Sequence, residues 1–161
     1  MGFPQIWCHW VKECIPSPTF SVLINGTPTG FITSTRGLRQ GYPLSPFLFS
    51  MALEFFSIHM HLATESGRIH PLKRNVELHV SHLLFADDML VFYRADKSSV
   101  HELNKLLEQL HLNTGLQVNR GKSKIYFSKS CKYKNELASI LGVPISSFPT
   151  KYLGLPFDYL L

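Results

Sequence analysis

The stretch His82-Leu83-Leu84-Phe85-Ala86-Asp87-Asp88-Met89-Leu90-Val91-Phe92, HLLFADDMLVF, sets two adjacent carboxylates between two runs of large apolar side chains. Unpaired charge is costly in a core, so the aspartates must leave it while their flanks enter it. A hairpin satisfies both demands. Val76, Leu78 and Val80 alternate with Glu77, His79 and Ser81, which predicts a half-buried strand that runs on into the apolar LLF. MLVFY is a second strand, and only Ala86-Asp87-Asp88 separates the two, so they should pair antiparallel.

Outward from this hairpin, the chain reads as alternating helices and strand pairs. Ile6, Trp7, Trp10, Val11 and Cys14 recur at helical spacing over residues 4–15 until Pro16 and Pro18. FSVLING and TPTGFITST predict two strands joined at Asn25-Gly26, with Pro28 and Gly30 lengthening the turn beyond a minimal hairpin. RGLRQGYPLSP is too rich in Gly and Pro for a regular element. A helix over about 46–65 follows, with Leu48, Met51, Ala52, Phe55, His59 and Leu62 as its apolar stripe and Ser50, Glu54, Ser57 and His61 opposite. Ser99 with Glu102 forms a capping-box pattern opening a helix with Val100, Leu103, Leu106, Leu107 and Leu110, which Gly115 stops. KIYFS reads as a strand, residues 132–141 as a short helix and YLGLP as a last strand. The expected class is α+β, one domain with an antiparallel sheet and helices packed on one face.

The 161 residues, 45% of them hydrophobic, suffice for one domain that buries roughly two-thirds of its unfolded surface. FLFSMALEFFSIHM carries Glu54 in its middle, so no membrane span and no membrane partner is expected. The N-terminus has no positive n-region, and Ile6 stands where a myristoylation signal needs Ser or Thr. Cys8, Cys14 and Cys131 have no CxxC spacing, which fits thiols in a reducing, intracellular compartment, cytoplasm or nucleus. The net charge of +5 concentrates in Arg120, Lys122, Lys124, Lys129, Lys132 and Lys134, a stretch with no Asp or Glu. It suits a polyanion, and equally a solvated lysine-rich face. Neither a P-loop nor a Rossmann fingerprint occurs. His59 and His61 lie two apart on the predicted helix, facing different ways, and Cys8-His9 has no second pair at zinc spacing, so surface or satisfied core histidines are expected.

At the bend of a rigid hairpin, Asp87 and Asp88 would offer oxygen ligands suited to Mg²⁺, because the turn interrupts the strand alternation that would otherwise point them apart. An Asp pair is also common in ordinary turns. The surroundings weigh against an ordinary turn. RGLRQGYPLSPFLF, FADD, GLQVNRGKSKIYFS and KYLGLP occur in the order of the reverse transcriptases of non-LTR (LINE-type) retrotransposons, particularly those of plants, which the chain resembles over nearly its whole length.

That resemblance implies a partial polymerase palm over about 19–128, with a basic connector and the start of a thumb over about 129–161. It makes Asp87 and Asp88 the catalytic, metal-binding pair. Arg39, Gln40, Gly41 and Lys122 would border the incoming nucleotide and template, and Tyr152, Leu153 and Gly154 would support the primer end. The implied cofactor is Mg²⁺, and the implied partners are an RNA template, a DNA primer and deoxynucleotides.

The resemblance also implies what this chain lacks. The family's fingers, and a further metal-binding aspartate, belong before the segment matched by Met1 to Ile15. Asp96, Asp158 and Glu54 do not stand on an upstream apolar strand. Tyr42 replaces the Asp usual in RQGDPLSP. The expectation is therefore an RNA-directed DNA polymerase fragment, catalytically incomplete alone, with weak or absent Mg²⁺ binding and dependence on the missing fingers and thumb. The alternative is a non-catalytic nucleic-acid or protein-binding remnant.

Overall fold

The computed structural model describes residues 2–15, 19–33, 41–72 and 80–158. Two compact units divide the chain, Met1–Ser50 and Met51–Leu161.

In the first unit, α1 (Gln5–Cys14) follows Pro4, which leads into it with no side-chain cap. Strands β1 (Thr19–Ile24) and β2 (Thr27–Thr33) then form an antiparallel hairpin. Contrary to the longer turn expected, Asn25 and Gly26 alone make it, both at positive φ (49° and 81°). This is the geometry that matches strand twist in a two-residue connection. Pro28 and Gly30 lie within β2 instead. The pairing moves two residues along β1 (Phe20 to Val22) while it moves three along β2 (Ile32 to Thr29), so β2 carries the extra residue, next to Gly30 at φ 71°.

Helix α2 (Ser45–Glu65) runs from the first unit into the second. It is long and apolar enough to cross a membrane by length and composition alone. Its buried residues are Phe56, Met60 and Ala63, which enter the core of the second unit. The stripe read from the sequence is offset from this face: Leu62 is exposed and Phe55 only half-buried. A helix apolar nearly all round gives periodicity little to choose between adjacent faces.

The second unit continues with the hairpin β3 (His82–Phe85) and β4 (Asp88–Val91), antiparallel as expected. The alternating residues Val76 and Leu78 lie outside the described segments, and Val80 and Ser81 precede the strand. Helix α3 (Lys97–Thr114) buries Val100, Leu103, Leu106 and Leu110 and stops at Gly115, at φ 74°. Then follow β5 (Ile125–Tyr126), α4 (Lys134–Leu141), β6 (Ile145–Ser146), β7 (Thr150–Tyr152) and β8 (Leu155–Phe157). Phe56, Met60, Ala63, Ile69, the α3 stripe, Ile125, Phe127, Leu137, Ala138 and Leu141 form one core.

Helix and strand content fits the α+β class. The single antiparallel sheet is replaced, among the described residues, by four two-stranded ladders, and β5 pairs with β6 in parallel. Strands β5 to β8 are only two or three residues long, too short to sustain a wider ladder. YLGLP is likewise a hairpin, β7–β8, turning at Leu153-Gly154.

The cap of α3 is Asp96 and not Ser99. The Asp96 carboxylate accepts from the Ser99 amide (2.9 Å), the Ser98 hydroxyl (2.7 Å) and Arg94 Nε (2.9 Å), and its Oδ2 lies 3.0 Å from His70 Nδ1. A carboxylate complements the positive helix N-terminus, and Ser99, fully buried, accepts from the His70 amide instead. Glu102 pairs with Arg68 rather than closing a capping box.

Burial alone would raise the Asp96 pKa, but hydrogen bonds from Ser98, the Ser99 amide, Arg94 and the Ser99 side chain outweigh it and hold the carboxyl well below the usual carboxylate range. A depressed folded value gives stability that is present above the unfolded value, about 3.9, and lost as pH falls through the folded one. Asp96→Ala should therefore cost about 1–2 kcal/mol at pH 7 in urea unfolding, and the gap from wild type should narrow by pH 3. A gap unchanged between the two would contradict this assignment.

Candidate functional site

Alternation along β3 and β4 gives the aspartate hairpin two unlike faces. Leu84, Met89 and Val91 pack against the core, and His82 shares their face. Leu83 (48% exposed) and Phe85 (60%) point the other way, with Asp88 paired directly opposite Phe85. Ala86 and Asp87 form the two-residue turn, and Asp88 is the first residue of β4. Ala86 takes φ 48°, left-handed backbone that costs a Cβ-bearing residue roughly 1–2 kcal/mol. The expected break in alternation is thus present: one carboxylate sits on the turn and its neighbour on the strand, and both are exposed.

His82 fastens this hairpin to α2. Its Nε2 lies 2.9 Å from Ser57 Oγ and its Nδ1 2.9 Å from Ser81 Oγ, and its ring meets Phe56 edge-on at 6.0 Å. Burial lowers its pKa, with Glu54 acting against that shift and His61 with it. The sequence pattern makes His82 a strand residue, which it is, but gives no sign of the bond to Ser57. His59 is likewise satisfied, with Nδ1 2.7 Å from the Phe55 carbonyl.

Lys122 is exposed on a turn whose amide donates to both the Asn119 carbonyl and Asn119 Oδ1 (each 3.1 Å). Three residues later Ile125 enters the core on which the aspartate hairpin also rests. Tyr152 ends β7, while Leu153 (φ 51°) and Gly154 (φ 80°) form the turn to β8. Tyr126 holds that hairpin to β5 through Thr150 Oγ1 (2.9 Å), and Phe148 packs between Tyr126 and Phe157 (4.8 and 5.7 Å). Among the described residues, no hydrogen bond or ion pair joins Asp87 or Asp88 to Lys122 or to Tyr152–Gly154. Arg39 and Gln40 lie outside the described residues. Gly41 belongs to the first unit and has φ 81°, a conformation that favours glycine regardless of space.

The basic block divides by role. Arg120 is structural: it donates to Asn104 Oδ1 (2.8 Å) on α3 and to the Leu141 carbonyl at the end of α4. Lys122, Lys124, Lys129 and Lys132 are exposed.

Exposed carboxylate oxygens are the right donors for Mg²⁺. Among the described residues, however, no group of three His, Cys, Asp or Glu side chains converges to hold an ion. Asp96 is committed to its helix cap.

The family described as reverse transcriptase (RNA-dependent DNA polymerase) matches residues 1–157. The chain belongs to that family. The matched span includes the Asp87-Asp88 turn. An uncharacterized mitochondrial protein of Arabidopsis thaliana is 48% identical over 67 residues, 41% of this chain. Those residues span 55% of the relative, so the chain covers about half the length of this curated protein.

Proposed function

We propose that the chain is a segment of a plant LINE-type reverse transcriptase, with its palm core over about 19–128 and its connector and thumb start over about 129–161. The observation that carries this reading is the β3–β4 hairpin, which presents Asp87 and Asp88 outward within a chain matched by the family almost end to end. In the intact enzyme, RNA-directed nucleotidyl transfer would use two Mg²⁺ ions, with Asp87 and Asp88 supplying two of the carboxylates. Arg39, Gln40, Gly41 and Lys122 would bind nucleotide and template, and Tyr152–Gly154 would support the primer. The 161-residue chain alone is inactive, because two carboxylates cannot fix the ions to the accuracy that transfer requires.

Mn²⁺ titration of the ¹⁵N-labelled chain tests the site. Paramagnetic broadening should begin at Ala86, Asp87, Asp88 and Met89, remain far from saturation at concentrations that fill a complete site, and vanish in Asp87→Ala/Asp88→Ala. Broadening centred elsewhere, or unchanged in the double variant, would remove the assignment.

A further inference from the structure

The two-stranded β3–β4 hairpin carries the aspartates on a ladder of four residue pairs, and two strands alone are marginally stable in water. Its orientation therefore depends on what fastens it to the rest of the second unit. Leu84, Met89 and Val91 supply apolar contact, which holds the hairpin down but lacks direction. Hydrogen bonds do have direction, and His82 makes two of them at the end of the ladder away from the turn. One reaches Ser57 on α2 and the other Ser81, whose carbonyl accepts the Phe92 amide (2.8 Å) and so extends the strand pairing.

We propose that His82, held by Ser57, is a positioning residue for the Asp87-Asp88 turn, setting the angle at which α2 presents the two carboxylates. A neutral imidazole offers one donor and one acceptor, and each serine hydroxyl can take either complementary role. The ring meets Phe56 edge-on, and the titratable groups of α2 that act on its charge are Glu54 and His61. Protonating it places a cation in a half-buried site, where Glu54 favours the charge and burial and His61 oppose it. Acidification should therefore loosen the anchor and be felt five residues away at the turn. The role assigned to the carboxylates rests on the reverse transcriptase reading, whereas the coupling of His82 to the turn is a property of this fold.

The test uses the purified 161-residue chain and reads amide and imidazole resonances between pH 8 and pH 5, above the range where ordinary carboxylates titrate. The amides of Ala86, Asp87 and Asp88 should shift with the midpoint of the His82 ring, below its ordinary 6.5. Ser57→Ala should raise that midpoint and speed hydrogen exchange at the turn about five-fold, as the loss of one hydrogen bond allows, without a matching change across α3. Ser57→Thr should restore both. If the turn amides ignore the His82 titration, or Ser57→Ala leaves their exchange unchanged, His82 merely fills space and the proposal falls. Metal binding and polymerisation do not enter this readout, so its failure is separate from failure of the functional reading.

Discussion

Phe56→Ala is expected to remove about 3–5 kcal/mol of unfolding free energy, the usual loss when a buried aromatic is cut to a methyl and the surroundings only partly collapse. Phe56 is 1% exposed, joins α2 to the core of the second unit and meets the His82 ring. Domains of this size hold about 5–15 kcal/mol in all, so the variant should unfold at much lower urea or fail to accumulate folded. Leu112→Ala on α3, where the side chain is 82% exposed, should stay within about 0.5 kcal/mol of wild type. Urea unfolding followed by circular dichroism compares the two directly. Equal costs would mean that the core lies elsewhere.

The second large effect concerns nucleic acid. Lys122, Lys124 and Lys129 are exposed within a stretch that contains no acidic residue. If this face meets a phosphate backbone, replacing all three by Gln should weaken binding to an RNA–DNA duplex by roughly ten-fold or more at moderate salt. It should also flatten the log–log salt dependence by up to about 0.9 for each phosphate that is no longer neutralised. Arg120 is left out because it braces α3 against α4, and its loss would confuse binding with folding. Affinity and salt slope measured by fluorescence anisotropy check both. Wild-type binding no different from that of a charge-matched control would remove the polyanion role and, with it, the nucleic-acid form of the non-catalytic alternative.

The parts of the fold legible in the sequence are those written in local pattern. The α3 stripe and its Gly115 stop, the Pro-bounded α1 and the β3–β4 hairpin each announce themselves within a short local window. Parallel pairing of β5 with β6 does not, because two-residue strands carry no periodicity and α4 separates them in sequence. The Asp96 cap itself is local, its carboxylate accepting from the Ser99 amide three residues on, while its further partner His70 lies 26 residues away. The core face of α2 is ambiguous in sequence because Phe55 and Phe56 are adjacent and only tertiary packing separates them.

The candidate site shows the same division. The aspartate hairpin can be read from its own residues, whereas Lys122 and Tyr152-Leu153-Gly154 are singled out only by the resemblance to the reverse transcriptases. That Arg120 leaves the basic block for a structural task, and that Ser57 reaches His82, depends on hydrogen bonds across 16 to 25 residues that leave no local trace. Ala86 at positive φ is invisible in a sequence where Gly or Asn would have signalled the turn.

Primer extension tests the central claim most directly: an RNA template, a DNA primer and deoxynucleotides with Mg²⁺, incubated with the purified 161-residue chain and with Asp87→Ala. The account predicts no extension by the wild-type chain above the level of the variant. Extension by the wild type that disappears in Asp87→Ala would contradict it, and would require a third metal ligand from a residue that does not approach the aspartate turn among those described.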